Sequence, residues 1–447
     1  MKVGIIGAGA AGLAAAYDLV KKGHHPTVYE AGPKLGGQAS TFDVGGGRLE
    51  RGYHHLFKSD TYMVDLIHEL GLGDKLAWIE SKVGFFHGGK IYNFVTPMDL
   101  LRFKPLSLVN RIRLGLVTLY LQRTKNWHKF EKVTARDWIV KWAGRKNYDV
   151  VWGPLLRGKF GSRAEEVSMA WFWGKIYLRV ASRDKGMQKE KLGYPMGSFG
   201  EVFEVLADRI REKGGEINLS TPVTRVVVED GRATGLEVKG SSGPPEVHNF
   251  DVIISTTPSY IFPRLVSELP DDYVDLLGQV KYHAAILIVM VLKQPLSHIY
   301  WMNISGYDTP FLAIIEHTNF VDRSHYGGKH IVYLSNYLSK ESPMYSMTQE
   351  ELLAEYIPHL KKINPDFDQS WIEGYYYHRE EAAQPIVTTN YSEKIPDYRT
   401  PIQGLYLANT TQIYPEDRGT NYSIRLGQRI SRLVLEDNPT GTGPADR

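Results

Sequence analysis

Met1-Lys-Val-Gly-Ile-Ile-Gly7-Ala8-Gly9-Ala10-Ala11-Gly12 opens the chain, an apolar run that leads straight into three glycines. The spacing predicts a strand, a tight turn and a helix. Gly7 permits the turn, Gly9 lets the backbone approach a pyrophosphate, and Gly12 lets the helix press against the strand. The helix reads Leu13-Ala-Ala-Ala-Tyr-Asp-Leu-Val-Lys-Lys-Gly23, with Gly23 as its stop. A second strand, His25-Pro-Thr-Val-Tyr-Glu30, ends on an acid that can accept hydrogen bonds from a ribose. A glycine triplet alone is weak evidence, but strand, helix, strand and acid fall in the order of a dinucleotide-binding unit. The free N–H groups and dipole at the helix start favour an anion there, so Ala8, Ala10 and Ala11 join the glycines as expected phosphate-loop residues.

Ala31-Gly-Pro-Lys-Leu-Gly36-Gly37-Gln38 follows directly, and its paired glycine lets a second stretch of backbone approach a large ligand. This run resembles the extended FAD signature of the superfamily that contains flavin amine oxidases, protoporphyrinogen oxidases and phytoene desaturases. There the acid is followed by a double glycine and often an arginine; Gln38 stands in the arginine's place. Leu49-Glu50-Arg-Gly52-Tyr53-His54 is similar to the superfamily's acid-x-glycine segment. The resemblance implies that Gly52, Tyr53 and His54 run under the flavin ring. Pro154-Leu-Leu-Arg-Gly158, Glu165-Glu-Val-Ser168 and Gly197-Ser-Phe-Gly200 are similar to the middle of protoporphyrinogen oxidase-like proteins.

Further along, Thr221-Pro-Val223 onward resembles the strand whose backbone holds the adenine, and Asp251 to Pro258, through Thr256, the strand and turn that return toward the cofactor. Gly404-Leu-Tyr-Leu-Ala-Asn409-Thr410 resembles the strand that ends in glycine and an acid on the ribityl chain. Here those positions are Asn409 and Thr410, and a hydroxyl holds a sugar alcohol more weakly than a carboxylate does. Arg418-Gly419-Thr420-Asn421 opens a helix of apolar periodicity, Tyr422 to Leu435, whose N-terminus is implied to face the flavin and favour negative charge on it. The alternative is an ordinary amphipathic terminal helix.

The fold class these features imply is α/β: a Rossmann-like FAD-binding domain of GR2 type with a discontinuous α+β substrate domain. The cofactor elements fall at 1–75, 195–275 and 396–437. Two insertions, 76–194 and 276–395, are expected to form the substrate domain, the first helical in pattern and the second containing the strand Tyr282 to Leu292. Residues 438–447 are expected to be a disordered tail. At 447 residues the chain exceeds a single domain of about 100 to 200 residues. Lys and Arg number 53 against 50 Asp and Glu, so the net charge of +3 provides no strong attraction to nucleic acid. The absence of cysteine excludes disulfides, thiolate metal sites and a cysteinyl-linked flavin, leaving a histidyl link or noncovalent binding. With no charged and apolar leader before the first strand and no apolar run near the roughly 20 residues that span a bilayer, cytoplasmic residence is expected.

Catalytic chemistry is less visible, because hydride transfer to a flavin can rest on positioning alone. His54 is the candidate catalytic residue, able to hydrogen-bond the flavin or to move a proton near neutral pH; packing against the cofactor explains it equally well. Lys281 invites comparison with the lysine of amine oxidases, but the count from Pro295 puts that position near Leu287, and Lys281 reads as a solvated strand end. In the first insertion Trp152, Trp171, Trp173 and Tyr177 cluster beside Arg157, Lys159, Arg179 and Arg183; Arg157, Trp171, Trp173 and Arg179 are the candidate substrate residues, suited to a flat or apolar molecule with an anionic group, and a basic face over a tryptophan-rich core is the alternative. Leu106 to Leu121 is a strongly apolar helix with two arginines, read as a core or lid element, with a place on a membrane surface as the other reading.

The expectation is an FAD-dependent oxidoreductase that removes a hydride from a small-molecule substrate of the amine, porphyrinogen-like or polyene and lipid classes. Only one nucleotide fingerprint is present, so oxygen or a quinone, rather than NAD(P)H, is the expected redox partner. Two alternatives stand beside it: a nucleotide-sugar mutase resembling UDP-galactopyranose mutase, and a carrier of the GDP-dissociation-inhibitor type, against which the intact Gly7, Gly9, Gly12 and Glu30 set counts.

Overall fold

The opening run forms the middle strand of a five-stranded parallel sheet, ordered Leu405–Leu407, Val252–Ser255, Lys2–Ile6, His25–Tyr29 and Glu216–Asn218. The computed structural model describes residues 1–181, 190–240, 243–305 and 309–439, and of residues 179–181 only the backbone. Helices cover one face of this sheet and a three-stranded antiparallel sheet packs on the other, so its strands are apolar on both: Ile5 and Ile254 are buried on the first, Ile6 and Ile253 on the second. Helix Ala10–Lys21 lies so close that a methyl group at Gly12 would stand 2.0 Å from the Gly7 carbonyl oxygen. Gly12→Ala is therefore expected to cost about 1–3 kcal/mol or more in a thermal melt, the range for overpacking. The terminal helix, Thr420–Asp437, packs backbone to backbone on the first, since a methyl at Gly427 would lie 2.3 Å from the Ala11 oxygen. Ser431 also donates to Asp18, so the two helices run in the same direction and start at the same end of the sheet.

An antiparallel sheet of Val223–Glu229, Arg232–Val238 and Glu246–Asn249 flanks this unit. Its first turn is Asp230-Gly231, both with positive φ (49° and 77°), as a two-residue hairpin requires.

A seven-stranded mixed sheet makes the second half, ordered Ile372–Pro385, Tyr282–Leu292, His330–Leu338, Ala313–Glu316, Trp301–Ser305, Val83–His87 and Lys90–Asn93. Tyr282–Leu292 is the buried strand its composition implies, with every residue from His283 onward inside. The two strands between 83 and 93 come from the first insertion, which the sequence pattern presents as helical. Their signal is short but physical: Gly88-Gly89, φ 57° and 75°, is a two-residue hairpin turn between them. Helices of that insertion build a second apolar core around Phe103, Trp152 and Trp173. The chain enters and leaves it through a two-stranded ribbon, Leu76–Glu80 against Lys191–Pro195.

Helix Leu108–Arg123 departs from its reading as a core or lid element: only Leu114 and Leu121 are buried in it. At the C-terminus the Asn438 side chain donates to the Val434 carbonyl (2.9 Å). The rest of the expected tail, 440–447, lies outside the described residues.

Candidate active site

Two glycine turns stack at the head of the parallel sheet. Gly7 (φ 105°) donates its N–H to the Tyr29 oxygen, and Thr256 closes over it, with backbone N–H and hydroxyl both on the Ile6 oxygen. Gly36 donates to the Ala8 oxygen, and a methyl at Gly37 would come within 3.2 Å of the Gly9 Cα. Glu30 accepts from the N–H of Ala8 (2.9 Å) and of Gly32 (2.8 Å), just past Ala31. Each carboxylate oxygen keeps a lone pair for a ribose hydroxyl. The Thr221 N–H donates to the Glu30 carbonyl, which brings the strand beginning at Val223 alongside this turn.

Helices Ala10–Lys21 and Thr420–Asp437 both begin at a glycine, Gly9 and Gly419, with no side chain capping them. Their first N–H groups therefore remain free donors at the positive ends of two long helices. A methyl at Gly419 would meet nothing within 4 Å, and one at Gly52 only Leu287, at 4.0 Å. Bare backbone thus faces a cavity of about 380 Å³ between the two halves of the molecule, bordered by Gly37, Gln38, Gly52, Tyr53, His54 and Gly419 to Asn421. This cradle fits FAD: one uncapped helix end suits the diphosphate, the other a ring system that becomes anionic on reduction.

Several expected contacts come out differently. Asn409 is buried, with its Nδ2 on the Thr257 oxygen and Ser259 Oγ and its Oδ1 taking the N–H and hydroxyl of Thr411. That uses all its donors and acceptors, so its side chain has none left for a ribityl chain; it caps a turn instead. Thr410 is hydrogen-bonded to Tyr282 and does not border the cavity. Gln38 borders it, but its Nε2 donates to the Ala382 oxygen (2.8 Å) and ties the two halves together.

His54 donates from Nδ1 to the Gly52 carbonyl at 2.7 Å, which leaves Nε2 as an acceptor. Burial pulls its pKa down to about 4, so the ring is neutral at physiological pH. This runs against the expectation of proton movement near neutrality: His54 holds the turn at Gly52 and keeps Nε2 as an acceptor. Flavin reduction is expected to show no inflection between about pH 5.5 and 8 that His54→Ala removes; an inflection lost in the variant would assign His54 a proton-transfer role.

Of the cations in the expected cluster, the structure brings Lys159 to the cavity. Arg157 is exposed and lies outside the lining. Trp173 is in the core, with Nε1 donating to the oxygens of Leu121 (3.1 Å) and Thr124 (3.0 Å). The Arg179 side chain and Arg183 lie outside the described residues. Trp171 does border the cavity, with Nε1 on Asp417 (3.3 Å), and Lys159 and Lys175 pair with the same carboxylate. The reason is helical geometry: two residues rotate by about 200°, which turns Lys159 inward when Arg157 faces out. Asp417 is held well below the usual carboxylate range by the two lysines, against burial, while burial takes Lys159 down to about 7. Arg418 donates to Tyr337 (2.8 Å), which is also hydrogen-bonded to Tyr53. Asp417 and Arg418 directly precede Gly419, the one sequence signal that points to them. Lys281 is exposed at its strand end, and Leu287 borders the cavity.

A family model described as flavin containing amine oxidoreductase matches residues 10–434. A 15-cis-phytoene desaturase of Glycine max is 23% identical, with 98% of this chain and 80% of that protein covered. The crystal structure of a putative protoporphyrinogen oxidase from Exiguobacterium sp. 255-15 superposes with a TM-score of 0.75 at 20% identity, covering 97% of this chain and 99% of that one. A reduced UDP-galactopyranose mutase also gives 0.75 at 17% identity, covering 98% and 96%.

Proposed function

The chain belongs to the flavin-containing amine oxidoreductases, with FAD as cofactor, and from that premise we propose an oxidoreductase that takes a hydride from an apolar substrate of the polyene or lipid class. Oxygen or a quinone accepts the electrons. The observation that carries this reading is the cavity wall: Leu155, Leu156, Ile176, Leu287, Ile304 and Leu312 line the cavity that Gly52 and Gly419 also border. Leucine at 287, where amine oxidases are expected to place a lysine, argues against amines. The FAD-binding unit, of GR2 type, comprises 1–75, 195–275 and 396–437, and the substrate unit 76–194 and 276–395.

FAD supplies the hydride acceptor. The chain's own part is to orient and to exclude water. Leu287 and its apolar neighbours keep the substrate dry, and the free N–H groups of Thr420 and Asn421 favour the negative charge of reduction. His54, neutral, keeps Nε2 as an acceptor at the turn. Tyr53, Tyr337 and Arg418 fix that edge of the cavity through their hydrogen bonds.

The test is anaerobic mixing of the oxidised holoenzyme with isoprenoid polyenes, porphyrinogens and amines, with flavin absorbance as the readout. Bleaching by polyenes alone is the expected result; bleaching by amines or porphyrinogens alone would overturn the substrate class. Rapid bleaching by NAD(P)H would overturn the acceptor. One observation favours the mutase as a second reading: Lys159, Lys175 and Arg418 around one Asp417 suit a diphosphate. Isomerisation of a UDP-sugar by the reduced enzyme, without net oxidation, would establish it. A carrier of the GDP-dissociation-inhibitor type would show no flavin.

A further inference from the structure

Among the described residues, exposed large apolar side chains gather in one place: Met98, Leu101, Leu108, Val109, Ile112 and Leu116 stand together on helices Pro97–Arg102 and Leu108–Arg123. Val109 is 74% exposed, Leu116 62% and Leu108 59%, values far from those of a core. Leu108, Ile112, Leu116 and Leu119 repeat at helical spacing, so they share one face. The opposite face, with Leu114 and Leu121, is buried toward helix Met169–Ala181. We propose that this outer face seats on the surface of an anionic lipid bilayer.

Charge decides the occupant. Residues 95–146 hold twelve Lys and Arg against Asp99, Glu131 and Asp137, a net +9, whereas the rest of the chain is net −6 within an overall +3. Arg102, Lys104, Arg123, Lys125, Lys141 and Lys146 of this segment are exposed. Two copies of so basic a face repel one another, while anionic headgroups attract it and the acyl boundary accepts the leucines. Among the described residues no helix is long and apolar enough to cross a membrane, so the contact is peripheral.

One wall of the cavity lies beneath this face. Helix Met169–Ala181, beneath it, carries Trp171, Phe172, Lys175 and Ile176 of the cavity wall, and Leu155 is both exposed and part of that wall. The docking itself does not rest on the substrate reading, and its test involves no turnover.

The holoenzyme is sedimented with vesicles of phosphatidylcholine alone and of phosphatidylcholine mixed with phosphatidylglycerol. Binding to the mixed vesicles is expected to be about tenfold tighter or more, and to weaken with salt. Val109→Asp with Leu116→Asp should lower it by about tenfold, with flavin content and melting temperature unchanged, because both side chains point to water. Lys104→Glu with Arg123→Glu should lower only the preference for phosphatidylglycerol. No vesicle binding by the wild type, equal binding by the aspartate variant, or a dimer in solution that this variant dissociates would each overturn the proposal.

Discussion

Replacing Gly419 by leucine is expected to give a folded protein that has lost its flavin. The backbone there is extended (φ 177°), which any residue adopts, so the change introduces no strain. A methyl group at this position meets no atom within 4 Å because it points into open space beside the cavity. A leucine side chain would fill that space in front of the free N–H groups of helix Thr420–Asp437, where the isoalloxazine is assigned. The expected loss is about tenfold or more in affinity, or 1.4 kcal/mol and upward. It is read as moles of flavin released per mole of protein, beside a thermal melt of both apoproteins. Equal melts with full flavin retention would place the ring elsewhere.

Glu50 carries the other large effect, through stability. It is fully buried, accepts from the Phe199 N–H (2.8 Å) at the start of helix Ser198–Glu212 and from the Tyr194 hydroxyl (3.0 Å), and lies two residues before Gly52. Glu50→Ala leaves two buried donors unpaired and a void, for an expected cost of about 3–5 kcal/mol in denaturant unfolding. Glu50→Gln keeps an acceptor for Phe199 and should cost far less. Burial raises the Glu50 pKa from 4.5 to about 7, so the folded state prefers the protonated acid. Its contribution is complete below pH 4.5 and is lost as the pH rises to about 7, a change of roughly 3 kcal/mol.

Glutamine has no such dependence, so the stability of Glu50→Gln relative to wild type should climb by that amount across the same window. The comparison must be variant against wild type. His54 and His378, both lowered to about 4, and His317, lowered to about 3, change stability in the opposite sense, gaining as the pH rises toward 6.5. A difference that stays flat with pH would mean that Glu50 is ionised in the folded protein.

Local features were legible in order of how little they depend on distant parts of the chain. The glycine turn at Gly7, the Asp230-Gly231 hairpin and the strand Tyr282–Leu292 each follow from φ preferences or side-chain patterning over a few residues. The strands at 83–93 were hidden: they are short, and Trp301–Ser305, which pairs with the first of them, lies more than 200 residues away. Asn409 misled because a motif position specifies a place beside the sheet, whereas the direction of the amide depends on Thr257, Ser259 and Thr411. Arg157 misled for a similar reason, since composition names the cations of a segment but not which of them faces inward.

By itself, then, the order of residues determined the dinucleotide-binding start, the α/β class and the kinship with flavin enzymes, because these rest on backbone conformation and short-range spacing. Tertiary structure alone decided which charges meet in the cavity, why His54 is neutral, and that helix Leu108–Arg123 presents leucines to water. Those properties depend on desolvation and on which faces find a neighbour, and both arise only when distant segments come together.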